Sequence, residues 1–319
     1  MTSSPIRIGT RASALAMAQT TWVAARLQDR GTAVEILTIS TRGDERRDIP
    51  ISRIGGDGVF VRELEQALLD GRIDVAVHSL KDMPTALPEG LVIACVPQRV
   101  TPFDACVSRD GRPLDALPPG AVVGTSSIRR VAQLKLLRPD LVTTPVRGNV
   151  DTRLRKLDAG ECDALLLAAA GLERLGLDGR ITHLVQPPEF WPAVGQGAIA
   201  IQSRASDHST RACVASLDDT VAHAAVVAER RMLETLAGGC LAPIGGWGRV
   251  TSHGVLTLGG CVLDLDESSG EVRRVVVEEG VAIGNDPSSS AASLGQAVAR
   301  GILDRGGAEM LAHMRTLPG

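Results

Sequence analysis

The sequence predicts an α/β protein with two doubly wound lobes and a small C-terminal α+β domain, and three observations carry that expectation. Strand-like and helical runs alternate up to Val96. The alternation starts afresh after Pro97. From about Val221 the style changes to one long helix and then strand-like segments joined by turns. A chain of 319 residues is also longer than one domain usually needs.

In the first lobe, Ile6-Arg7-Ile8-Gly9 reads as a strand. Residues 13–30 read as a helix in which Leu15, Ala18, Trp22, Val23 and Leu27 form one apolar stripe, and Gly31 ends it. A strand follows at 34–39, then a polar, glycine-containing loop at 41–58 whose length suggests mobility or function. A helix is expected at 60–69 and strands at 73–77 and 91–96. In the second lobe strands are expected at 104–107, 121–124, 142–146 and 163–167, with helices at 127–137, 150–159 and 169–175. The proline-rich stretch 186–192 reads as a crossing. Ala198-Ile199-Ala200-Ile201 then reads as a strand returning to the first lobe, so that two hinge strands join the lobes. The last domain has a helix at 221–236, strands at 245–250, 255–263 and 272–277, and a helix at 288–303. Ser252-His253-Gly254 and residues 266–270 have turn chemistry, which favours antiparallel pairing. The expected division is 1–97 with 198–216, then 103–192, then 219–319.

Composition excludes several classes. The net charge is −3, and three Phe, three Trp and no Tyr leave little for base stacking, so a nucleic-acid partner is not expected. The six cysteines form no C-x-x-C pair, and four lie in apolar runs, as in Val92-Ile93-Ala94-Cys95-Val96. They read as core thiols, not disulfides or metal ligands, and no metal is expected. No run approaches a transmembrane length, and residues 1–8 hold no signal-peptide core, so a cytoplasmic protein is expected.

Three strand-to-helix junctions share a design: Gly9-Thr10-Arg11-Ala12-Ser13, Gly124-Thr125-Ser126-Ser127-Ile128-Arg129-Arg130 and Arg147-Gly148-Asn149-Val150-Asp151-Thr152-Arg153. Each puts hydroxyl or amide groups and arginine at a helix start, where free N–H groups and the helix dipole favour an anion and the guanidinium fork fits a carboxylate. For any one junction the plainer reading is helix capping beside a solvated arginine. Three together favour a cleft for several anionic groups. No G-x-x-x-x-G-K-[ST] occurs, and Gly55-Gly56-Asp57-Gly58 lacks the third glycine of G-x-G-x-x-G, which disfavours a nucleotide. His78-Ser79-Leu80-Lys81-Asp82 follows a strand; Asp82 either stabilises a cation or merely pairs with a base in a turn. Cys240, after Gly238-Gly239 at the end of the long helix, sits on a loop. A helix C-terminus does not activate a thiolate, so the loop fits a tether better than a nucleophile, while alone it would read as a small buried cysteine.

Taken together, these segments resemble the porphobilinogen deaminase (hydroxymethylbilane synthase) family. The matching stretches are Ile8-Gly9-Thr10-Arg11, Thr41-Arg42-Gly43-Asp44, Ala76-Val77-His78-Ser79-Leu80-Lys81-Asp82, Gly124 to Arg130 and Arg147-Gly148-Asn149-Val150, followed by Ala193-Val194-Gly195-Gln196-Gly197 and Gly238 to Gly245. They run in the family's order. The resemblance implies a three-domain fold with lobes like those of periplasmic binding proteins. It implies a transferase of tetrapyrrole (heme and porphyrin) biosynthesis that joins four porphobilinogen molecules with loss of ammonia and releases hydroxymethylbilane. It implies a dipyrromethane cofactor on Cys240, and a monomer.

Under the resemblance, Asp82 is the catalytic group, stabilising the cations that follow ammonia loss and orienting pyrrole N–H groups. Cofactor contacts are expected from Cys240, Lys81, Asp82, Thr125, Ser127, Arg129, Arg130 and Gly148. Substrate contacts are expected from Arg11, Ser13, Arg147, Arg153, Arg174, Phe60 and Gln196. The family often has lysine within Gly-Gly-x-Gly where this chain has Asp57, so that contact is not carried over, and Arg53 is the residue nearby that would compensate. The alternative is an organic-anion-binding module on the same two-lobe fold without catalysis. It has no use for the Gly-Gly-Cys loop.

Overall fold

The computed structural model describes residues 4–41, 58, 61–236, 242–266, 269–284 and 286–316. The expected loop at 41–58 lies almost wholly outside the described residues, as do Cys240, Phe60, Asp57 and Arg53. The chain divides into two compact units, Met1–Val100 with Gly197–His223 and Thr101–Gln196 with Ala224–Gly319.

The first unit is built on β1 (Ile6–Thr10), β2 (Val34–Thr38), β3 (Val75–Ser79), β4 (Leu91–Cys95) and β10 (Ile199–Arg204), in the order β2-β1-β3-β10-β4. β1 runs parallel to β2 and β3, whereas β10 is antiparallel to β3 and β4. Helix α1 (Ala14–Gln28) begins where Ser13 caps it, its side chain accepting from the Ala16 N–H. Alternate residues of a strand face opposite sides. Val75 and Val77 therefore join Val23 and Leu27 of α1 in one core, while Ala76 joins Leu64 and Leu68 of α2 (Arg62–Leu69) in another.

The first sheet of the second unit repeats this plan with different strands. It comprises β5 (Asp104–Ser108), β6 (Val122–Gly124), β7 (Val142–Thr144), β8 (Ala164–Ala168) and β9 (His183–Val185), in the order β7-β6-β8-β5-β9. β6 is parallel to β7 and β8, and β5 is antiparallel to β8 and β9. Again the two faces alternate: Ala105, Val107, Leu165 and Leu167 pack with Leu154 and Leu157, and Cys106 and Leu166 pack with Leu134 and Phe190. Its helices are α3 (Ile128–Leu137), α4 (Val150–Asp158) and α5 (Ala169–Arg174).

The sequence pattern anticipates a mostly parallel sheet in each lobe, yet both contain one strand running against its neighbours. β10 is the strand that follows the second crossing of the chain, and β5 the strand that follows the first. Neither direction is visible in hydrophobicity, because a buried strand is apolar whichever way it runs. β9 and the helix α6 (His208–Val214) also escape the sequence reading, both being short.

The remaining sheet, β11 (Ile244–Val250), β12 (Val255–Leu265) and β13 (Val272–Ala282), is antiparallel as its turns predict. α7 (Thr220–Thr235) and α8 (Pro287–Ile302) supply Ala228, Met232, Leu294 and Val298 to one face. Trp191, Ala132, Cys261 and Leu263 form a cluster on the other. A last helix, α9 (Ala308–Thr316), was not expected. Cys95, Cys106 and Cys261 are buried core thiols, as their apolar runs predict; Cys162, between Glu161 and Asp163, is buried as well, whereas Cys213 is only partly so.

Gly124 ends β6 with no room for a side chain: an added Cβ would stand 2.6 Å from Val146 Cγ2 and 2.7 Å from Leu165 Cδ2. Gly124→Ala is expected to destabilise the protein by about 1–3 kcal/mol through overpacking, measured as a shift in urea midpoint at unchanged slope.

Candidate active site

The parallel pairing of β1 with β3 brings two sequence-predicted segments to one sheet edge. Ile8 lies opposite Val75 and Gly9 opposite Ala76, so the links that leave both strands emerge at the same end. After β1 come Arg11 and Ser13; after β3 comes a single 3-10 turn, Leu80–Asp82, anchored by the Leu80 N–H on the Ala198 carbonyl. A cavity of about 60 Å³ opens there, with Arg11, Ser13, Gln19, His78, Ser79 and Asp82 in its wall. Gln19 donates to Ser79 Oγ at 2.8 Å, which ties α1 to the end of β3. Lys81 and Asp82 are half-buried.

His78 sits beneath this cavity, 5 % exposed. Its Nε2 lies 3.0 Å from Gln202 Oε1, and Gln202 Nε2 donates to Glu65 Oε1 at 3.0 Å. Burial pushes the imidazole down to about 4; the Gln202 contact opposes this and the nearby Arg11 charge adds to it.

In the second unit the adjacent arginines point inward. Arg129 Nη1 donates to Asp104 Oδ2 at 2.8 Å and to the Trp191 carbonyl. Arg130 holds Asp104 Oδ1 through Nε at 3.0 Å and Nη2 at 2.6 Å, and gives Nη1 to the Leu166 carbonyl. Asp104 is fully buried and the arginines nearly so. Burial alone would raise the Asp104 carboxyl, but the two guanidinium charges outweigh it and hold the group well below the usual carboxylate range. Burial also lowers Arg130, against the pull of Asp104. Gln196, expected at substrate, is fully buried too, its amide donating to Asp104 Oδ1 at 3.1 Å and to the Pro102 carbonyl at 2.7 Å. The backbone beside it is held from elsewhere: buried Glu229 accepts from the Gly195 and Gly248 N–H groups at 2.6 and 2.7 Å.

The other junction residues fall at helix starts. Thr125 is buried and its Oγ1 accepts from the Ser127 N–H at 3.3 Å. Ser127 precedes α3 without spending its hydroxyl on a cap. Asn149 caps α4 through Thr152, and Gly148 before it has φ 109°, a conformation only glycine adopts readily. Arg147 and Arg153 are half-buried, Arg153 Nε donating to the Gly148 carbonyl at 2.8 Å. Arg174 ends α5, and burial draws it down to about 10, with Glu173 opposing. The structure thus gathers Arg11, Ser13 and Asp82 in one cavity, and separately gathers Arg129, Arg130 and Gln196 on Asp104. Sequence reasoning missed Asp104, His78, Gln202 and Glu229. For Asp104 a signal existed, since an acidic residue opening the buried strand Asp104-Ala105-Cys106-Val107 needs a partner.

Comparison with known proteins settles the lineage of this arrangement. Residues 6–212 match the family model described as porphobilinogen deaminase, dipyromethane cofactor binding domain, and residues 223–304 match porphobilinogen deaminase, C-terminal domain. The chain belongs to the porphobilinogen deaminase family. A porphobilinogen deaminase of Brevibacillus brevis is 44% identical over 310 residues, covering 97% of both chains. One from Syntrophobacter fumaroxidans is 48% identical over 268 residues, 83% of this chain and 86% of that one. A periplasmic substrate-binding protein of an ABC transporter from Coxiella burnetii, 16% identical, covers 66% of this chain and 91% of its own with a TM-score of 0.40. The family is one of transferases in porphyrin biosynthesis, with porphobilinogen as substrate, hydroxymethylbilane as product and a dipyrromethane cofactor. A non-catalytic anion-binding module is not favoured.

Two outcomes follow from the charges. Asp104→Ala leaves two buried guanidiniums facing each other and is expected to destabilise by about 3–5 kcal/mol in denaturant unfolding. Folded His78 stays neutral down to about pH 4, whereas an unfolded histidine takes its proton near 6.5. Between those values the unfolded chain binds more protons, so stability falls as pH drops through that window. Going from about pH 7 to about pH 4.5 is expected to remove about 2 kcal/mol through this group, a loss absent in His78→Asn when both are unfolded in urea at each pH.

Proposed function

We propose that this chain polymerises porphobilinogen into hydroxymethylbilane with release of ammonia, that Asp82 is its catalytic group, and that Cys240 carries the dipyrromethane. The observation that carries the site assignment is the shared cavity of Arg11, Ser13 and Asp82. Each pyrrole bears an acetate and a propionate. Arg11 offers such a carboxylate a planar fork, with Ser13 beside it. Asp82 supplies the opposite charge, stabilising the cation left when porphobilinogen loses ammonia and accepting from pyrrole N–H groups.

The donor set of the second unit fits a polycarboxylate cofactor. Ser127 keeps its hydroxyl at an uncapped helix start, Thr125 stands before it, and Gly148 carries the backbone at positive φ into the start of α4, with Thr152 packed against it. Arg129 and Arg130 share a single carboxylate, Asp104, so an excess of positive charge remains beside that helix start. Lys81 and Cys240 are also assigned to the cofactor. When bound, the dipyrromethane supplies the free pyrrole carbon from which the chain is extended. Arg147, Arg153, Arg174 and Phe60 are assigned to the growing chain. Gln196, committed to Asp104 and Pro102, supports the arginines from behind.

A division into 1–97 with 198–216, 103–192 and 219–319 is supported by the three separate sheets. A cytoplasmic monomer accords with this reading. Among the described residues no helix is long and apolar enough to cross a membrane.

The purified protein, from cells able to make porphobilinogen, is expected to weigh more than its sequence by one dipyrromethane, and Cys240→Ser to remove the excess; an unmodified wild-type mass by intact-protein mass spectrometry sinks the tether. Asp82→Ala is expected to keep substrate binding yet lose roughly 100-fold or more in kcat, so near-normal turnover would refute its role.

A further inference from the structure

The reaction leaves unexplained why a buried histidine forms part of the wall that holds Asp82. His78 and Gln202 are diagonal neighbours across the antiparallel pair β3–β10, where His78 lies opposite Ala200 and Gln202 opposite Ala76. Glu65 reaches the same face from α2. The direction of the chain follows from donor chemistry. The Glu65 carboxylate accepts, so Gln202 turns its NH2 toward it at 3.0 Å. The Gln202 oxygen then faces His78 Nε2, also at 3.0 Å. That contact is a hydrogen bond only when Nε2 carries the proton.

We propose that His78 is a positioning residue of the Asp82 cavity, locked by the Gln202–Glu65 chain as the neutral Nε2–H tautomer. The wall it forms then carries no positive charge, and Nδ1 stays an acceptor. The charged groups around the ring are Arg11 and Asp82, which line the cavity with it, and Glu65 beyond Gln202. Ser13 and Gln19 from the first junction and α1, and Ser79 beside it, are uncharged. A histidinium there would compete with substrate for Asp82 and repel the cation that forms after ammonia leaves. The neutral ring adds no cation to compete for Asp82. This function of the lock rests on the reading of the cavity as the porphobilinogen site; the lock itself rests on geometry alone.

The test uses the holoenzyme labelled with 15N-histidine. Ring nitrogens are read by NMR at about pH 5.5 and about pH 7.5, with His78→Gln for assignment. A neutral Nε2–H pattern at both values is expected. A doubly protonated ring at the lower pH, or an Nδ1–H tautomer, overturns the proposal; should His78→Gln fail to fold, backbone-to-ring correlation in the wild-type protein assigns the signal. Glu65→Gln keeps the shape but removes the charge that directs the chain. It is expected to turn the His78 signal into a mixture of tautomers and to lower kcat roughly tenfold at nearly constant KM. An unchanged tautomer overturns the lock; mixed tautomers with unchanged kcat overturn the positioning role. Wild-type protein that holds the tautomer but does not consume porphobilinogen overturns the functional reading instead.

Discussion

One buried carboxylate organises the second unit. Asp104 opens β5 in the middle of an apolar sheet, where an unpaired charge would cost several kcal/mol. Arg129 and Arg130 from the start of α3 remove that cost, and their remaining donors extend the contact to the Leu166 carbonyl of β8 and the Trp191 carbonyl of the crossing segment. Gln196 adds the next stretch of the crossing. A strand, a helix and the return path of the chain are thus fixed relative to one another by one group. In the proposed reading the same arrangement leaves positive charge over at this helix start, since two cations share one anion.

The two five-stranded sheets use the same strand order, and in each the antiparallel strand is the one that follows a crossing between the units. That topology places loops of like kind at the carboxyl ends of the parallel strands. In the first unit the parallel register of β1 and β3 is what makes Arg11 and Asp82 neighbours although they are far apart in the chain. In the proposed reading their opposite charges serve a substrate that presents carboxylates and then develops a cation.

Much of this was legible beforehand. The helix of α1, its Ser13 cap and the Gly31 end could be read because capping and periodicity are local. So could the family, because Ala76 to Asp82 and Gly124 to Arg130 keep their residues at fixed spacing. The inward turn of Arg129 and Arg130 was not legible, since an arginine after a helix start serves a ligand or a buried partner with the same local sequence. The His78–Gln202–Glu65 chain was hidden for a related reason: its three members come from two strands and a helix that only folding brings together.

The sequence by itself determined the α/β class, the position of nearly every element and the chemical types available for binding carboxylates, all of which depend on local periodicity and on residue identity. Only the tertiary structure decided which polar groups spend their hydrogen bonds on each other and which line a cavity. It also decided the direction of β5 and β10. Those outcomes depend on burial and on distances between segments remote in the chain, because a charge taken out of water accepts whatever partner the fold brings within reach.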